Sequence, residues 1–115
     1  MPVLDASAIL NAFPFEFKET VFTVPGVVEE LKDFRSRTIA EQGIESGKLV
    51  VSYPSEVSVK KVRGVSKTLG LSDVDVSVLA LALDKNMLVL SDDRGIQKAA
   101  RNLGIKYRNV MHKPL

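Results

Sequence analysis

Residues 72–93 have the sequence SDVDVSVLALALDKNMLVLSDD, a helical pattern followed directly by a strand pattern. Ser72 is a favourable helix N-cap, and Asp75 stands three residues later, which is the capping-box spacing with aspartate in place of glutamate. The helix has an apolar side, formed by Val76, Leu79, Ala80 and Leu83. Residues 87–90 are all apolar, as expected of a strand in a parallel sheet that is covered on both faces.

The rest of the chain alternates in the same way. Further short strands are predicted at Val3–Ala6, Val21–Val24, Leu49–Val51 and Ile105–Tyr107. Further helices are predicted at Ala8–Leu10, from Pro25 to about Gln42, from Val57 to near Gly70, and over Arg94–Leu103 before Gly104. An aromatic packed loop is predicted at residues 13–18. Strands that alternate with helices indicate an α/β fold with right-handed crossovers and a mostly parallel sheet.

Length and composition favour one globular domain over residues 1–115. A chain of 115 residues can bury a single core, and 45% hydrophobic with 26% charged residues is typical of soluble proteins. No apolar run approaches the ~20 residues that span a membrane, and no charged segment precedes an apolar one at the start. We therefore expect a cytoplasmic protein without membrane contact.

Several kinds of chemistry are excluded by residue usage. The chain has no cysteine, so disulfides, thiolate catalysis and cysteine-bound zinc are ruled out. Its single histidine, His112, leaves no basis for a serine–histidine triad or a multi-histidine metal site. No glycine-rich phosphate loop occurs. The net charge of +2 is too mild to indicate a nucleic-acid partner by itself, and the basic residues after position 93 fit either a solvated helix face or a polyanion-binding edge.

Acidic residues follow two of the predicted strands. Asp5 ends the first strand, and Asp92 and Asp93 follow the strand at residues 87–90. In open parallel sheets the carboxyl ends of the strands form the edge at which ligands bind. Helices that follow strands begin at this edge, and they would add acids from their first turns, namely Glu29, Glu30 and Asp75.

Each acid also has a structural explanation. Asp75, and either Asp92 or Asp93, could simply cap a helix, and the glutamates could be solvated charges on a helix face. Asp5 is harder to explain in this way, because it ends an apolar strand. Carboxylates that crowd together raise one another's pKa or recruit a cation, and hard oxygen ligands favour Mg²⁺ or Mn²⁺. Such ions serve in-line displacement at phosphorus, so the sequence indicates metal-dependent phosphate chemistry.

The order of four motifs resembles that of a PIN domain. The motifs are Val3-Leu4-Asp5-Ala6-Ser7-Ala8, Val24-Pro25-Gly26-Val27-Val28-Glu29-Glu30-Leu31, Leu71-Ser72-Asp73-Val74-Asp75 with Leu79-Ala80-Leu81-Ala82, and Leu90-Ser91-Asp92-Asp93. The resemblance implies a three-layer α/β/α domain with a mostly parallel central sheet. It also implies an endoribonuclease that depends on Mg²⁺ or Mn²⁺ and cuts single-stranded RNA.

Site residues follow from the resemblance by position. The four catalytic acids would be Asp5, Glu30, Asp75 and Asp93. The metal ligands would be Asp5, Asp75, Asp92 and Asp93, with Ser7 and Ser91 orienting carboxylates or water. Candidate contacts to the RNA backbone are Arg35, Arg37, Arg94 and Lys98.

A finer likeness is to the Nob-type PIN endonucleases that mature small-subunit ribosomal RNA. Residues 27–37 resemble their second-motif helix, and Asp92-Asp93 with Ile96-Gln97 resembles their fourth motif. The zinc ribbon of that group has no counterpart in these residues, and the element before the third motif is altered at residues 67–71. We expect either a stand-alone relative or an RNA-docking module on a separate chain.

Three other interpretations stay open. A VapC-type toxin ribonuclease shares the fold and the acids, and would pair with an antitoxin. A PIN fold could also bind RNA or protein without cutting. A phosphoacceptor receiver domain is disfavoured, because the strand at Leu49–Val51 runs into Ser52-Tyr53-Pro54 and supplies no acceptor aspartate. Expected partners are therefore single-stranded RNA, including precursor ribosomal RNA, a second copy of the chain, and an antitoxin or ribosome-assembly protein.

Overall fold

A computed structural model describes residues 1–12 and 17–110 of the chain, so most of the predicted loop at residues 13–18 lies outside the described part. The elements, in chain order, are β1 (Pro2–Leu4), α1 (Ala6–Ala12), β2 (Val21–Thr23), α2 (Pro25–Glu30), α3 (Phe34–Glu45), β3 (Leu49–Val51), α4 (Glu56–Val65), α5 (Asp73–Lys85), β4 (Leu88–Leu90), α6 (Arg94–Leu103) and β5 (Tyr107–Arg108). No helix in the described ranges is long and apolar enough to cross a bilayer.

The five strands form one parallel sheet in the order β3-β2-β1-β4-β5. The central strand β1 pairs with β2 at Val3 and Phe22 and with β4 at Val3 and Val89. The predicted α/β fold with a parallel sheet is confirmed. Because the chain extends the sheet from β1 through β2 to β3, and later adds β4 on the other side of β1, the strand order reverses at β1. The carboxyl end of β1 is thus the switch point at which such sheets bind ligands.

Helix α5 forms the centre of the core. Its buried residues are Val76, Val78, Leu79, Ala80, Leu81 and Ala82, which lie on more than one side of the helix. The helix packs against α4 and against strands β1 and β4, so it has partners on several sides. This environment explains why the sequence of α5 is apolar in two consecutive turns rather than along a single stripe. The predicted capping box of Ser72 and Asp75 is confirmed.

The predicted helix from Pro25 to Gln42 is wrong, because the structure divides it into α2 and α3. The chain is extended at Leu31, whose N–H donates to the carbonyl of Val28 and ends α2. Asp33 then caps a new helix by accepting from the N–H of Ser36 at 2.9 Å, and the Ser36 hydroxyl also donates to it. These bonds hold the pKa of Asp33 below its usual range. Phe34 follows Val27, Val28 and Leu31 at helical spacing in the sequence, but its side chain is 86% exposed.

Other boundaries differ by a few residues. Strand β1 ends at Leu4, one residue before Asp5, and α4 ends at Val65 rather than near Gly70. Strand β5 spans Tyr107–Arg108 rather than Ile105–Tyr107. Helix α6 has the predicted bounds and ends at Gly104, whose φ of 73° lies in the left-handed region that glycine tolerates best.

Helices α2 and α5 approach closely at Gly26. A Cβ atom at this position would lie 2.8 Å from Cγ2 of Val74, whose β-branched side chain has few alternative rotamers. We expect Gly26→Ala to lower the free energy of unfolding by about 1–3 kcal/mol, because the two helices must separate. Gly64→Ala is the matched control. It lies in α4 with no atom within 4 Å of the added Cβ, and should raise stability by about 0.5–1 kcal/mol. Urea denaturation measures both, and equal effects would contradict the close approach.

Candidate active site

Five carboxylates line one cavity of about 290 Å³ at the carboxyl end of β1. They belong to Asp5, Glu30, Asp75, Asp92 and Asp93. The sequence also placed Glu29 at this edge, but Glu29 lines a different hollow, between α2 and α3. Ser7 lines the same cavity, and within the described residues no lysine or arginine does. A larger hollow of about 370 Å³ lies between α2 and α3. The chemistry of the lining, rather than its size, marks the acid-lined cavity as the candidate active site.

Asp5 lies at the base of this cavity and is 8% exposed. Its Oδ1 accepts from the Ser7 hydroxyl at 2.8 Å and from the N–H of Ala8 at 2.9 Å, while its Oδ2 accepts from the Ser91 hydroxyl. Burial raises the pKa of Asp5, the three hydrogen bonds oppose this shift, and the charge of Asp75 adds to it. The ionised form of Asp5 is therefore disfavoured in the isolated protein, and a bound cation would favour it.

Ser91 connects the ends of β1 and β4. It is fully buried, its hydroxyl donates to Asp5, and its oxygen accepts from the N–H of Asp93 at 3.0 Å. The N–H of Asp5 also donates to the carbonyl of Leu90 at 3.4 Å. Because these bonds join the two strand ends, the positions of Asp5 and Asp93 relative to each other are set by the backbone and by one serine.

The other aspartates also hold the fold together. Asp93 caps α6 by accepting from the N–H of Ile96 at 2.9 Å, and Asp92 accepts from the N–H of Val110 at 2.8 Å. Asp75 accepts from the N–H of Ser72 at 3.3 Å. The sequence left open that Asp75 and Asp93 take part in helix caps, and these hydrogen bonds confirm that both do. Capping does not exclude ligation, since a carboxylate offers about four acceptor positions.

The donor set of the cavity fits a hard divalent cation. All of the charged groups that line it are carboxylates, and burial raises the pKa of Asp5. In the described part of the chain, no group of three or more acidic or histidine side chains lies close enough together to hold one metal ion. Mg²⁺ does not need such a group, because it retains several waters and commonly binds proteins through one or two carboxylates.

The candidate RNA contacts lie on two helices, α3 and α6. Arg94 begins α6 directly after Asp93, and Lys98 follows one turn later; both are exposed. Arg35 and Arg37 lie on α3, and Arg37 lines the hollow between α2 and α3 rather than the acid-lined cavity. None of the four lines the acid-lined cavity, so any contact they make with RNA would be to phosphates outside it.

The apolar wall of the cavity was missed from the sequence. It consists of Val27, Val74 and Val78. A signal was present, since Val27 lies three residues before Glu30, and Val74 and Val78 lie one residue before and three after Asp75. Residues three apart share a helix face, so Val27 lies beside Glu30 and Val78 beside Asp75. Val78 is fully buried and thus belongs to the core as well as to the cavity wall.

Comparison with known proteins gives a family match. Residues 3–84 match the family described as PIN domain of ribonuclease. Similar proteins include Endoribonuclease Nob1 of Methanocaldococcus jannaschii, which is 40% identical over 97% of this chain and 57% of its own length. Endoribonuclease Nob1 of Pyrococcus abyssi is 38% identical over 94% of this chain and 67% of its own length. Ribonuclease VapC3 of Aeropyrum pernix is 33% identical over 90% of this chain and 81% of its own length. The chain thus spans between half and two thirds of the Methanocaldococcus relative.

Solved structures with low sequence identity share the fold. FitAcB from Neisseria gonorrhoeae superposes with a TM-score of 0.65 at 18% identity, covering 98% of this chain and 100% of that one. VapBC2 from Rickettsia felis superposes with a TM-score of 0.64 at 14% identity, covering 94% of this chain and 97% of that one. These similarities extend over the whole arrangement of sheet and helices.

Proposed function

The chain belongs to the PIN-domain family of ribonucleases, and we propose on this basis that it is an endoribonuclease that uses Mg²⁺ or Mn²⁺ to hydrolyse single-stranded RNA. The observation that carries the proposal is the cavity at the end of β1, which the buried Asp5 lines together with four further acidic residues. Burial and the charge of Asp75 raise the pKa of Asp5, and a bound cation would favour its ionised form.

Each side chain has a proposed part. Asp5, Asp75, Asp92 and Asp93 would hold the ion, which when bound stabilises charge on the phosphate and makes water a better nucleophile at neutral pH. Ser7 and Ser91 keep the carboxylate of Asp5 in place by donating to it. Glu30 would orient the attacking water or take its proton. The water oxygen bonds to phosphorus as the bond to the 3′ oxygen breaks, which leaves a 5′-phosphate and a 3′-hydroxyl.

Binding of RNA to an acidic cavity requires cations around it. We assign this role to Arg35, Arg37, Arg94 and Lys98, which lie on α3 and α6. Contacts to phosphates give affinity that falls with salt and carries little sequence preference. Specificity for one RNA would then come from other surfaces or from a partner.

The substrate that we propose is precursor ribosomal RNA, because four of the similar proteins bear the name Endoribonuclease Nob1 and a fifth, from Saccharomyces cerevisiae, is named 20S-pre-rRNA D-site endonuclease NOB1. A cytoplasmic site of action, a homodimer and a ribosome-assembly partner belong to the same proposal. The second candidate is a toxin ribonuclease held by an antitoxin, which is favoured by the 33% identity to Ribonuclease VapC3 over 81% of that protein. Rescue of growth by a co-expressed small partner protein would favour the toxin.

The test of the nuclease proposal uses a circular single-stranded RNA, which has no ends for an exonuclease. We expect linear products with 5′-phosphate and 3′-hydroxyl termini in Mn²⁺ or Mg²⁺ and none in EDTA. If the protein binds the circular RNA but leaves it intact both in Mn²⁺ and in Mg²⁺, the catalytic proposal fails. A PIN fold that binds RNA without cutting would then take its place.

A further inference from the structure

The hollow between α2 and α3 is a second concave site on the molecule. Its volume is about 370 Å³, and its apolar surface comes from Val28, Leu31 and Ala40. It exists because the chain is extended at Leu31, so that α3 starts anew after Asp33 instead of continuing α2. A single long helix over the same residues would leave no such hollow between its turns.

Charged side chains line this α2–α3 hollow, and Phe34, which does not line it, begins the helix that carries two of them. Lys32 and Arg37 supply two cations, and Glu29 and Glu41 supply two carboxylates. Phe34 lies on the same face of α3 as Arg37 and Glu41, since the three are spaced by three and four residues. Its ring is 86% exposed. An aromatic ring thus stands one helical turn from the cation that lines the hollow.

The hollow adjoins the acid-lined cavity across one helix. Val27 and Glu30 of α2 line the acid-lined cavity, whereas Val28 and Glu29 line the α2–α3 hollow. A helix with its side chains is about 10–12 Å across. Since a stacked strand rises about 3.4 Å per nucleotide, and an extended one more, the two sites are about three nucleotides apart or fewer.

We propose that the α2–α3 hollow is a nucleotide-binding subsite for the RNA strand that enters the acid-lined cavity. The base stacks on Phe34, the adjacent phosphate contacts Lys32 or Arg37, and Glu29 or Glu41 accepts a hydrogen bond from an exocyclic amino group. The inference rests on the proposed function, because it takes single-stranded RNA as the ligand. It adds a place where one base is recognised, which contacts to phosphates alone do not provide.

Binding of a labelled single-stranded RNA, measured by fluorescence anisotropy in EDTA, tests the subsite. Phe34→Ala should weaken binding about 5- to 100-fold, because a stacked base is lost, whereas Phe34→Tyr should bind like the wild type. Tyr53→Ala is the matched control, because Tyr53 is an aromatic residue of similar exposure, 82%, that lies between β3 and α4 rather than on the helices that form the hollow. Arg37→Ala should lower the slope of log affinity against log salt by about one.

A series of RNAs with one abasic position each locates the base. We expect one position to weaken binding by the wild type, and Phe34→Ala to add no further loss at that position. Equal binding by wild type and Phe34→Ala would overturn the inference, as would a change in oligomeric state on Phe34→Ala without a change in affinity. Cleavage by the wild type with no dependence on Phe34 removes the subsite alone. The expected binding pattern without cleavage in Mn²⁺ or Mg²⁺ removes the nuclease alone, and a wild type that neither binds nor cuts the RNA removes both.

Discussion

Asp5→Asn should lower the rate of metal-dependent RNA cleavage by about 10²- to 10³-fold under single-turnover conditions. Asparagine has the same shape, and its carbonyl can still accept from Ser7 and from the N–H of Ala8. What it lacks is the charge that would hold the cation and, with it, the stabilisation of charge in the transition state. Asp5 should show a large effect because it is the buried carboxylate at the base of the cavity.

The same substitution should not unfold the protein. The raised pKa of Asp5 means that, at a pH between its unfolded value near 3.9 and its folded value, the native state binds more protons than the unfolded state. Stability of the metal-free wild type should therefore fall as pH rises through this window. Asp5→Asn lacks this titration, so urea denaturation without metal should show its stability increasing relative to the wild type over the same window. A constant difference in unfolding free energy between the two proteins across this pH window would contradict a raised pKa of Asp5.

Asp84→Asn is the control for loss of a hydrogen-bonded carboxylate. Asp84 lies near the end of α5 and accepts from the N–H of Ser55 at 2.6 Å and from the hydroxyls of Ser55 and Ser58. It does not line the acid-lined cavity. Its replacement should leave the rate of cleavage unchanged. An Asp5→Asn protein that cuts RNA as fast as Asp84→Asn would remove Asp5 from the proposed mechanism.

Asp93 offers a way to separate a structural role from a catalytic one. Asparagine caps helices about as well as aspartate, whereas alanine does not. Asp93→Asn should therefore keep the stability of the wild type within about 0.5 kcal/mol while lowering cleavage by about 10²-fold, since one ligand charge is lost. Asp93→Ala should lose the same activity and, in addition, about 1 kcal/mol of unfolding free energy.

Thermal or urea denaturation beside a cleavage assay measures both effects of Asp93. If Asp93→Asn retains full activity and only Asp93→Ala is impaired, the residue acts through the cap of α6 and not through a cation. The fourth acid of the proposed site would then have to be Asp92, which lines the same cavity.

Much of the site could be predicted from the sequence because backbone geometry places it. In a parallel sheet, residues after β1 and β4 must meet at one edge, so Asp5 and Asp93 converge whatever surrounds them. Asp75 is fixed by an equally local signal, the capping box that begins α5. Short-range rules of this kind need no knowledge of tertiary packing.

The break between α2 and α3 could not be predicted in the same way. Apolar residues at positions 27, 28, 31 and 34 keep a helical period straight through it, and no proline or glycine interrupts them. The capping bond that Asp33 accepts from the N–H of Ser36 competes with a continuous helix, and tertiary packing decides between the two. As a result, both the exposure of Phe34 and the α2–α3 hollow were missed, because each depends on where α3 points.

The most direct test of the central claim is a calorimetric titration of the metal-free wild type and of Asp5→Asn with Mn²⁺. The claim is that the carboxylates at the end of β1 bind a divalent cation. It predicts saturable binding to the wild type that is weakened at least about tenfold in Asp5→Asn. No saturable binding to the wild type, or equal affinity in the two proteins, would contradict it.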